Sequence, residues 1–508
     1  MTLKIFSAAI LGLDTELVEV ESDLGGGDMG VISIVGLPDM AVSESKERVR
    51  SAIKNSSLHC PKVKITVNLA PADLKKHGPS YDLPIAISIL SAANIIKISQ
   101  ENLNKMMFLG ELSLGGELRG INGILPITLF AYQNKIKTIF VPEENAKEAK
   151  LIDNIEVIGV KNLRELVDHI NGIKLLKSTG KTNFNFSKKE WLSDMSHIKG
   201  QEQVKRAMEI VAAGAHNMLM FGPPGSGKTL IARTMPSILP ELNLQEALEI
   251  TKIYSISGLL SKKESLINIR PFRSPHHTAS GAALVGGGTW PKPGEISLAH
   301  RGVLFLDEFG EFPRKILENL RQPLEDGIIN ISRAAFNLTF PAKFILLAAM
   351  NPCPCGFYGD KKRTCTCSMT QISNYNKKIS GPILDRIDLH IEVPRIDFDK
   401  LSSLKVEETS ESIRKRIQVA RNIQEDRFKN TKNITNSDMS SHDVKKFCEI
   451  DLESKKIMER AVKQLHLSAR AYFRILKLAR TIADLENEEK ILTKHLAEAI
   501  QYREKNKV

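Results

Sequence analysis

Hydrophobic residues change their spacing along the chain, and the change separates a mixed first part from a more regular second part. Residues 17–21 alternate apolar and acidic side chains, which is the period of a strand with one buried face. Short apolar runs predict further strands at 31–35, 63–67 and 138–141, and a helical pattern occupies 43–53. We therefore expect residues 1 to about 175 to form a domain of mixed strands and helices.

The second part begins after a break in the pattern. Residues 176–192 lose periodicity and are rich in Lys, Ser, Thr and Asn, which is typical of a linker. A helical pattern at 201–213 then precedes buried strands predicted at 217–221, 302–306 and 344–350. No convincing strand pattern follows residue 400, where amphipathic stretches predict helices at 410–428 and 469–485. This order predicts a parallel α/β domain followed by helices.

A glycine-rich loop follows the first strand of this second part. A helix-like run begins after it at Leu230, although Pro236 should end or kink that helix. Such a loop turns backbone N–H groups toward phosphates, and the helix N-terminus adds a positive dipole. Lys228 would reach the β- and γ-phosphates, and the Thr229 hydroxyl would bind Mg²⁺. Strand, loop and helix together predict an ATP site made of Gly222, Pro223, Pro224, Gly225, Ser226, Gly227, Lys228 and Thr229.

A second apolar strand ends in two acids, Asp307 and Glu308. Asp307 is expected to bind Mg²⁺, and Glu308 to polarise the attacking water as a general base. A strand ending in Asp-Glu is common by itself. Together with the phosphate-binding loop, it indicates that the chain hydrolyses ATP.

The net charge and the lengths of the apolar runs indicate which binding partners the protein can have and where in the cell it lies. The 508 residues carry a net charge of +12, which favours an anionic partner such as nucleic acid or a membrane surface. The apolar run 5–13 resembles a short signal-peptide core, but acids follow it at once and a strand-like alternation continues. No run approaches the ~18 apolar residues that cross a bilayer. We therefore expect a cytoplasmic protein without a membrane partner.

Three further polar positions resemble functional residues of AAA+ ATPases. Asn351, after the strand 344–350, matches the sensor-1 residue, which in that family orients the water and the γ-phosphate. Residues 379–390 resemble the arginine-finger segment of the magnesium-chelatase and MCM branch, which implies that Arg386 acts on a neighbouring subunit's ATP. Residues 468–471 resemble that branch's sensor-2 segment, which points to Arg470, with Arg474 as a rival one turn later. The resemblance therefore implies a ring, expected to be a homo-hexamer.

The interval between Thr229 and Asp307 is longer than the core fold needs. It holds the sequence Arg-Ser-Pro-His-His-Thr at 273–278 and a glycine-rich stretch at 281–288, and a hairpin is predicted at 327–341. In the chelatase and MCM branch such inserts project toward the ring pore, where Arg333 would contact phosphate. His276 and His277 could bind a metal, but adjacent imidazoles point apart in most backbones, so a loop role is preferred.

Four cysteines lie close together in the sequence. Cys353 and Cys355 are separated by nine residues from Cys365 and Cys367, which offers four thiolates across one short loop. The pattern suits a tetrahedral Zn²⁺ that closes a loop too small for its own core, although C-x-C is tighter than the usual spacing. Four free cytosolic thiols are the alternative.

Three segments together resemble the ComM/YifB family of magnesium-chelatase-like AAA+ ATPases: 271–288, 351–356 and 380–390. The match extends over nearly the whole chain. The resemblance implies an α/β fold class, with a P-loop AAA+ parallel sheet core and a C-terminal helical lid. It also implies a preceding α+β domain similar to the proteolytic domain of Lon (ribosomal S5 domain 2-like). We place the N-terminal domain at 1–175, the linker at 176–192, the AAA+ core at 193–398 with its cysteine loop at 353–367, and the lid at 399–508.

The kinship with Lon raises the question of peptidase activity. Residues 77–82 resemble the segment that holds Lon's catalytic serine, at Ser80, and 110–119 resemble the region that leads to its lysine. A Ser–Lys dyad needs an amine to take the proton of the serine. No lysine lies between Leu112 and Asn134, and Leu125 occupies the expected place. We therefore expect a retained fold without peptidase chemistry.

These features lead to one principal function and two alternatives. Members of the ComM family are regarded as hexameric helicases that drive branch migration of incoming DNA in natural transformation. The resemblance thus implies an ATP-driven motor on single-stranded or branched DNA. The alternatives are the ATPase subunit of a complex that inserts Mg²⁺ into a porphyrin, and an ATP-dependent protein remodeller with an inactive Lon-like domain. The fused N-terminal domain and the cysteine loop argue against the chelatase subunit.

Overall fold

The structure, a computed structural model, describes most of the chain as two compact units. The described residues are 3–25, 30–181, 191, 193–261, 264–288, 290–333, 336–360, 362–396, 407–431 and 433–503. The first unit comprises Met1–Phe186 and Ala247–Ile267, and the second comprises Ser187–Glu246 and Asn268–Val508. Most of the predicted linker lies outside the described residues, and the domain boundaries stay predictions.

The first unit is built on a seven-stranded mixed sheet with the strand order β3-β4-β2-β1-β5-β8-β9. A small two-stranded sheet, β6-β7, lies beside it. The strands are β1 Lys4–Leu11, β2 Asp14–Gly25, β3 Ile32–Val35, β4 Lys64–Ala70, β5 Met106–Phe108, β6 Glu111–Leu112, β7 Leu118–Arg119, β8 Thr138–Pro142 and β9 Glu156–Val160. The helices are Met40–Asn55, Asp82–Ala92, Gln100–Leu103, Ile124–Gln133, Glu143–Ala149 and Leu163–Ile170, with a 3-10 turn at Pro79–Tyr81.

The apolar N-terminal run and the alternating segment after it form one antiparallel pair. β1 pairs with β2 from Lys4↔Glu21 to Leu11↔Asp14. Val18 and Val20 are fully buried on one face of β2, which is the alternation that predicted a strand. In β1, Ile5, Ala8 and Ala9 are buried. The run that resembles a signal-peptide core is therefore part of the central sheet.

Residues 247–267 belong to the first compact unit, although the sequence pattern predicts them within the AAA+ core. They include most of the helix Leu244–Ser257. Leu248 and Leu266 pack against a buried cluster around Met107 and Ile124 of the first unit. Polar contacts add to this packing: the Ser255 hydroxyl donates to the buried Glu148, and the Ser255 carbonyl accepts from the Gly123 N–H at 3.2 Å.

The second unit contains a five-stranded parallel sheet with the order β11-β14-β17-β10-β18. The central strands are short and apolar, and every residue of β14 and β17 is buried, as expected of a parallel sheet covered on both faces. Its strands are β10 Met218–Phe221, β11 Phe272–Arg273, β14 Val303–Leu306, β17 Ile345–Met350 and β18 Leu389–Glu392. Two hairpins accompany the sheet: β12 Gly286–Gly287 with β13 Lys292–Pro293, and β15 Ile328–Arg333 with β16 Phe336–Pro341.

The helices of the second unit share one hydrophobic core with the sheet. The C-terminal helices contribute Ile417, Ile475 and Ile482 to the cluster that includes Met220 and Leu347 of the strands. The longer helices are Glu202–Gly214, Lys228–Ile238, Met369–Lys377, Ser410–Phe428, Leu452–Leu465, Ala469–Leu485 and Thr493–Gln501. The shorter helices and turns are Met195–His197, Gly281–Val285, Glu295–Leu298, Phe309–Glu311, Arg314–Glu318, Arg321–Asp326, Gly381–Leu384, Asn436–Asp438 and Ser441–Phe447.

The predicted parallel core and helical C-terminal region are both present. Two helices have the predicted bounds, Ser410–Phe428 and Ala469–Leu485, and no named strand follows β18 in the part of the chain that is described. The helix after the glycine-rich loop includes Pro236 and ends two residues later at Ile238. Among the described residues, none of the helices has the length and apolar character needed to cross a membrane.

Candidate ATP-hydrolysis site

The phosphate-binding loop lies at the carboxyl end of β10, between the ends of β17 and β18. The Gly222 N–H donates to the Met350 carbonyl at 3.3 Å, and a Cβ at Gly222 would lie 2.2 Å from the carbonyl oxygen of Val393. Only glycine fits so close to a neighbouring backbone. Gly225 has a φ of +75°, and no atom lies within 4 Å of the Cβ position there. The loop is thus held tightly at its base and is open at its turn.

Lys228 directs its ammonium group into this loop. Its Nζ donates to the carbonyls of Gly222 at 2.7 Å and Pro223 at 3.0 Å, and to Asn351 Oδ1 at 3.3 Å. The residue is 8% exposed, and burial lowers the pKa of its ammonium, while the Asp307 carboxylate opposes that shift. A phosphate in the loop would also favour the charged amine.

The loop also offers a hydroxyl donor. Ser226 Oγ is buried and has no hydrogen-bond partner among the described residues. Buried polar atoms are rarely left without a partner, so this hydroxyl suits a ligand oxygen. Ser226 and Lys228 therefore both fit the phosphate chain of a nucleotide.

The two parts of the predicted magnesium site meet at the same edge of the sheet. Thr229 Oγ1 donates to Asp307 Oδ2 at 2.7 Å, which joins the start of the helix Lys228–Ile238 to the end of β14. Hydroxyl and carboxylate oxygens are ligands that Mg²⁺ prefers, so this pair fits the ion. When bound there, Mg²⁺ would neutralise charge on the phosphate oxygens.

Glu308 and Asn351 are brought to the same edge by β14 and β17. Glu308 has a left-handed backbone with a φ of 50°, and its N–H donates to Asp307 Oδ1 at 2.9 Å. Its side chain is 56% exposed, as a group that must meet a water molecule requires. Asn351 reaches Lys228, as described above. The structure therefore groups Lys228, Thr229, Asp307 and Asn351, with Glu308 adjoining them.

The predicted arginines form a second group. Arg386 pairs with Glu325 and donates to the Pro382 carbonyl at 2.6 Å, and Arg470 lies 3.6 Å from the same Glu325 carboxylate. Arg386 lowers the pKa of Glu325, so this acid stays ionised between the two cations. In the described structure, no hydrogen bond or ion pair joins either arginine to residues 222–229 or to the Asp307–Glu308 pair.

Arg474, the alternative sensor-2 candidate, contacts backbone carbonyls, whereas Arg470 lies near a carboxylate. Arg474 donates to the carbonyls of Leu384, at 3.3 Å, and Ile387. These carbonyls belong to the segment that carries Arg386, so Arg474 supports the backbone of that segment. Arg470 is 57% exposed on its side chain, and Arg386, Arg470 and Arg474 all line one cavity of about 630 Å³. The assignment of Arg470 as the sensor-2 residue, with Arg474 as the alternative, stays a prediction.

The four cysteines converge as the sequence predicts. Their Sγ atoms all lie within 4.8 Å of one another, and the separations among Cys353, Cys355 and Cys365 are 3.4, 3.6 and 3.7 Å. Tetrahedral zinc with Zn–S bonds of about 2.3 Å places sulfurs roughly 3.8 Å apart. The thiols therefore fit Zn²⁺, which would be held by Cys353, Cys355, Cys365 and Cys367 and would crosslink the loop.

Backbone N–H groups point at several of these sulfurs. Cys353 Sγ accepts from Tyr358 N at 3.3 Å, Cys367 Sγ from Cys355 N at 3.4 Å, and Cys365 Sγ from Cys367 N at 3.4 Å. Such donors stabilise thiolates and orient them toward a metal. Gly356 brings the loop against the phosphate-binding loop, because a Cβ there would lie 2.6 Å from Pro224.

Two contacts of this site were not anticipated from the sequence. One is Glu325, which the charge pattern of its helix does not distinguish from neighbouring acids. The other is a close contact between His277 and Glu308, whose Nδ1 and Oε2 atoms are 3.0 Å apart. The expectation that the imidazoles of His276 and His277 point apart is wrong, because their ring centroids are 4.1 Å apart.

The side chain of Arg333, which is predicted to contact phosphate, lies outside the described residues.

The absence of peptidase chemistry from the N-terminal unit, expected because Leu125 takes the place of Lon's lysine in the sequence, stays a prediction. Ser80 lies in the 3-10 turn Pro79–Tyr81, and Leu125 lies at the start of the helix Ile124–Gln133. Leu125 is 1% exposed, and its N–H donates to the buried Glu148 at 3.0 Å. A leucine side chain cannot take a proton from a serine hydroxyl.

Comparisons with known proteins match almost all of the chain. Residues 20–145 match the family "Subunit ChlI of Mg-chelatase", residues 194–401 "Magnesium chelatase, subunit ChlI", and residues 407–503 "Magnesium chelatase, subunit ChlI C-terminal". Competence protein ComM of Haemophilus influenzae is 44% identical over 507 residues, which cover 98% of this chain and 97% of that protein. The protein YifB of Escherichia coli is 42% identical over 500 residues, 98% of this chain and 96% of that protein.

A more distant similarity concerns the first unit's fold. Lon protease 2 of Bacillus subtilis is 33% identical over 169 residues, 30% of this chain and 30% of that protein. The predicted fold class is confirmed: a parallel AAA+ sheet with a helical C-terminal region follows a Lon-like α+β domain. Proteins of this family are ATPases that use ATP and Mg²⁺. The chain therefore belongs to the family of magnesium-chelatase-like AAA+ ATPases that includes Competence protein ComM and YifB.

Proposed function

We propose that the chain is an ATP-driven motor that works on single-stranded or branched DNA as a homo-hexameric ring. The observation that carries the proposal is the division of the predicted site into two groups. One holds the phosphate-binding loop, Asp307, Glu308 and Asn351; the other holds Arg386 and Arg470 on a shared carboxylate, Glu325. Neither group is complete for hydrolysis by itself. A second copy of the chain supplies what is missing.

Within one subunit, the group around the phosphate-binding loop binds ATP and activates the attacking water. Lys228 and the loop N–H groups would hold the phosphates, and Thr229 with Asp307 would hold Mg²⁺. Glu308 takes a proton from the attacking water, and Asn351 orients that water against the γ-phosphate. A neighbour's Arg386, with Arg470 beside it, stabilises the charge that develops on the transferred phosphoryl group.

Support for DNA as the substrate comes from charge, surface chemistry and kinship. The chain has a net charge of +12, and the hairpin β12–β13 exposes Lys292. The hairpin β15–β16 exposes polar side chains, in which Thr339 donates to Asn330 at 2.8 Å and Ser332 to Asn337 at 3.0 Å. Such surfaces suit sequence-independent contact with a phosphate backbone. The similarity to Competence protein ComM favours a role in competence, and we propose that this role is the recombination of incoming DNA during natural transformation.

The decisive measurement is ATP turnover with and without DNA. Single-stranded and branched DNA should raise kcat, and the protein should move a branch point only when ATP is hydrolysed. Glu308→Gln keeps the size and shape of the side chain but replaces the carboxylate that acts as the base. Turnover should therefore fall roughly 10²–10⁴-fold while ATP still binds. If DNA changes neither the rate nor the oligomeric state, the proposed function is wrong.

One alternative has support of its own. The three matching families are named after a magnesium chelatase subunit, which favours the ATPase component of a metal-insertion complex. The same assay separates the two functions, since that component would not respond to DNA. A protein remodeller with an inactive Lon-like domain would instead respond to an unfolded polypeptide.

We also propose that the cysteine loop binds one Zn²⁺. The sulfur separations and the N–H donors described above support the metal. Because Cys353 follows Asn351 by two residues, and Gly356 packs against Pro224, the ion would also hold the backbone around the nucleotide. Its role is structural, since four thiolates leave no open position.

A further inference from the structure

The cavity of about 630 Å³ in the second unit lies at the opposite edge of the parallel sheet from the phosphate-binding loop. Four residues that precede or begin strands line it: Asn217 before β10, Gly302 before β14, Ile345 at the start of β17, and Asp388 before β18. Because the strands are parallel, these residues mark their amino ends, whereas residues 222–229 follow a carboxyl end. The cavity is therefore separate from the predicted ATP site of the same subunit.

Three cations line this cavity without forming an ion pair in the described part of the chain: Arg421, Arg474 and Lys477. Their hydrogen bonds go to backbone carbonyls instead. Arg421 Nη2 donates to the Ala212 carbonyl at 3.0 Å, and Lys477 Nζ donates to the Ser437 carbonyl at 2.8 Å. Arg474 donates to two carbonyls, as described above, and its Nε has no partner among the described residues. The positive charges of these side chains are thus not balanced by direct contact with a carboxylate.

Arg421 is the most deeply buried of the three cations. It is 6% exposed, and its Nε has no hydrogen-bond partner among the described residues. Burial, and then the nearby Arg270 cation, lower the pKa of its guanidinium to about 10, so the group is still charged at neutral pH. A guanidinium has five N–H donors, and a buried charge without a counter-ion is unfavourable. An anion in the cavity would supply both the counter-charge and the missing acceptors.

The acids of the cavity that act on Arg421 are already bound to other cations. Glu246 accepts from Arg270 Nη2 at 2.8 Å and from Nη1 at 3.2 Å. Asp438 lies 3.4 Å from Lys343 Nζ. Each of these pairs is neutral as a whole, so the charge of Arg421 remains in excess. Burial also lowers the pKa of the Lys477 ammonium, as expected for a second cation that lacks a counter-ion.

The remaining lining residues suit an anion with oxygen atoms. Arg470, Arg474 and Lys477 follow one another at spacings of four and three residues on the helix Ala469–Leu485, which places them on one face. Like charges at these spacings repel each other, and an anion between them would remove that repulsion. Hydroxyl residues line the same cavity: Thr435, Ser437, Ser440 and Ser441.

We propose that this cavity binds an oligophosphate, either free or as the phosphate tail of a nucleotide, through Arg421, Arg474 and Lys477. Guanidinium groups bind phosphate through paired N–H donors, and an ammonium adds a compact charge. The cavity volume lies within the range of small-molecule sites. The bound anion would join the helices Ser410–Phe428 and Ala469–Leu485 to the amino ends of the strands. This site is additional to the proposed function, in which Arg386 and Arg470 serve a neighbour's ATP.

The test is a calorimetric titration of the full chain with inorganic triphosphate, in a Lys228→Ala background that weakens the phosphate-binding loop. About one triphosphate per chain should bind, since the cavity forms one site. Arg421→Gln and Lys477→Gln should each raise the Kd about 10-fold or more, because each removes a charged hydrogen-bond donor. Thermal unfolding of each variant checks that it folds, and the partly buried Lys477 keeps the test decisive if Arg421→Gln does not.

Lys415→Gln is the matched control. Lys415 lies on the same helix as Arg421, but its side chain is 75% exposed and does not line the cavity. Its replacement removes the same charge and should change the Kd less than about 2-fold.

Two further arms identify the site and the source of the phosphate. Arg386→Ala should keep the affinity for triphosphate, because the proposed site does not use that arginine. ATP that binds more tightly than triphosphate would identify a nucleotide as the ligand, whereas equal binding would identify the phosphate chain alone.

The proposal is overturned if Lys228→Ala binds no triphosphate, if Arg421→Gln and Lys477→Gln leave the Kd unchanged, or if Arg386→Ala abolishes binding. None of these measurements involves DNA. Failure of the DNA-dependent ATPase assay would therefore count against the proposed function and not against this site.

Discussion

At the scale of single residues, the buried His390 on β18 should make the stability of the second unit depend on pH. Burial, and then the nearby Arg474 cation, lower the pKa of this imidazole to about 4, while Asp388 and the carbonyls of Leu384 and Ile387 oppose the shift. Its Nε2 has no hydrogen-bond partner among the described residues. The folded protein therefore holds His390 neutral over most of the acid range.

Stability should consequently fall as the pH drops below about 6.5. In the unfolded chain His390 has an ordinary imidazole pKa and binds a proton below about pH 6.5, whereas in the folded chain it binds one only near its pKa of about 4. Acid therefore favours unfolding between these two pH values. From about pH 7.5 to about pH 5 the loss through His390 is about 2 kcal/mol. Thermal unfolding midpoints at the two pH values measure it.

The matched variants for this measurement are His390→Leu and His442→Leu. His390→Leu should make the midpoint less sensitive to pH, because leucine has similar bulk and cannot be protonated. The side chain of His442 is 88% exposed, so its replacement should leave the pH sensitivity as it was. Equal sensitivity in all three proteins would exclude His390 as the cause.

At the scale of elements, the periodic signals predicted strands and helices well where one face or both faces are buried. β10, β14 and β17 follow from short apolar runs, and the helix Ser410–Phe428 from its amphipathic pattern. Contacts between segments that are distant in the sequence cannot be predicted from such patterns. The packing of residues 247–267 with the first unit depends on partners such as Glu148, which lie far away in the sequence.

The cysteine loop is the element whose prediction is most directly testable. Purified protein should contain about one zinc per chain, since four thiolates form one tetrahedral site. Cys353→Ser with Cys365→Ser should lose the metal. It should also lower ATP turnover, because the loop supports Asn351 and packs on Pro224. Metal analysis by mass spectrometry, combined with ATPase assays, measures both effects.

Cys60→Ser is the control for that experiment. Cys60 is a free, partly buried cysteine of the first unit, outside the cluster, so its replacement should keep the zinc. Metal-free original protein with full activity would refute the zinc site. Zinc loss with unchanged turnover would refute only the link to the nucleotide.

At the scale of the whole molecule, we expect the arginine group of one subunit and the nucleotide group of its neighbour to act as two halves of a shared site. Arg386→Ala alone should lower turnover roughly 10³-fold or more, as expected when an arginine finger is removed. Lys228→Ala should be equally inactive, because it cannot hold the phosphates. When the two variants are mixed in equal amounts before the ring assembles, about one site in four joins an intact phosphate-binding loop to a neighbour's intact Arg386. The mixture should therefore recover up to about a quarter of the original rate.

The recovery arises because an Arg386→Ala subunit still binds ATP and a Lys228→Ala neighbour still supplies the arginine. Subunit exchange is checked by native mass spectrometry of the mixture. An exchanged mixture that stays inactive would mean that Arg386 does not serve a neighbour. Activity of Arg386→Ala by itself would mean that the finger has been assigned to the wrong residue.

The sequence by itself determined the phosphate-binding loop, the acid pair and the cysteine cluster, because each is a local pattern on a predictable strand or loop. The helical C-terminal region followed from amphipathic spacing in the same way. Only the tertiary structure decided which residues meet: His277 with Glu308, Glu325 with Arg386 and Arg470, and residues 247–267 with the first unit. Periodicity records which face of an element is buried, whereas a side-chain pair between distant elements depends on how the whole chain packs.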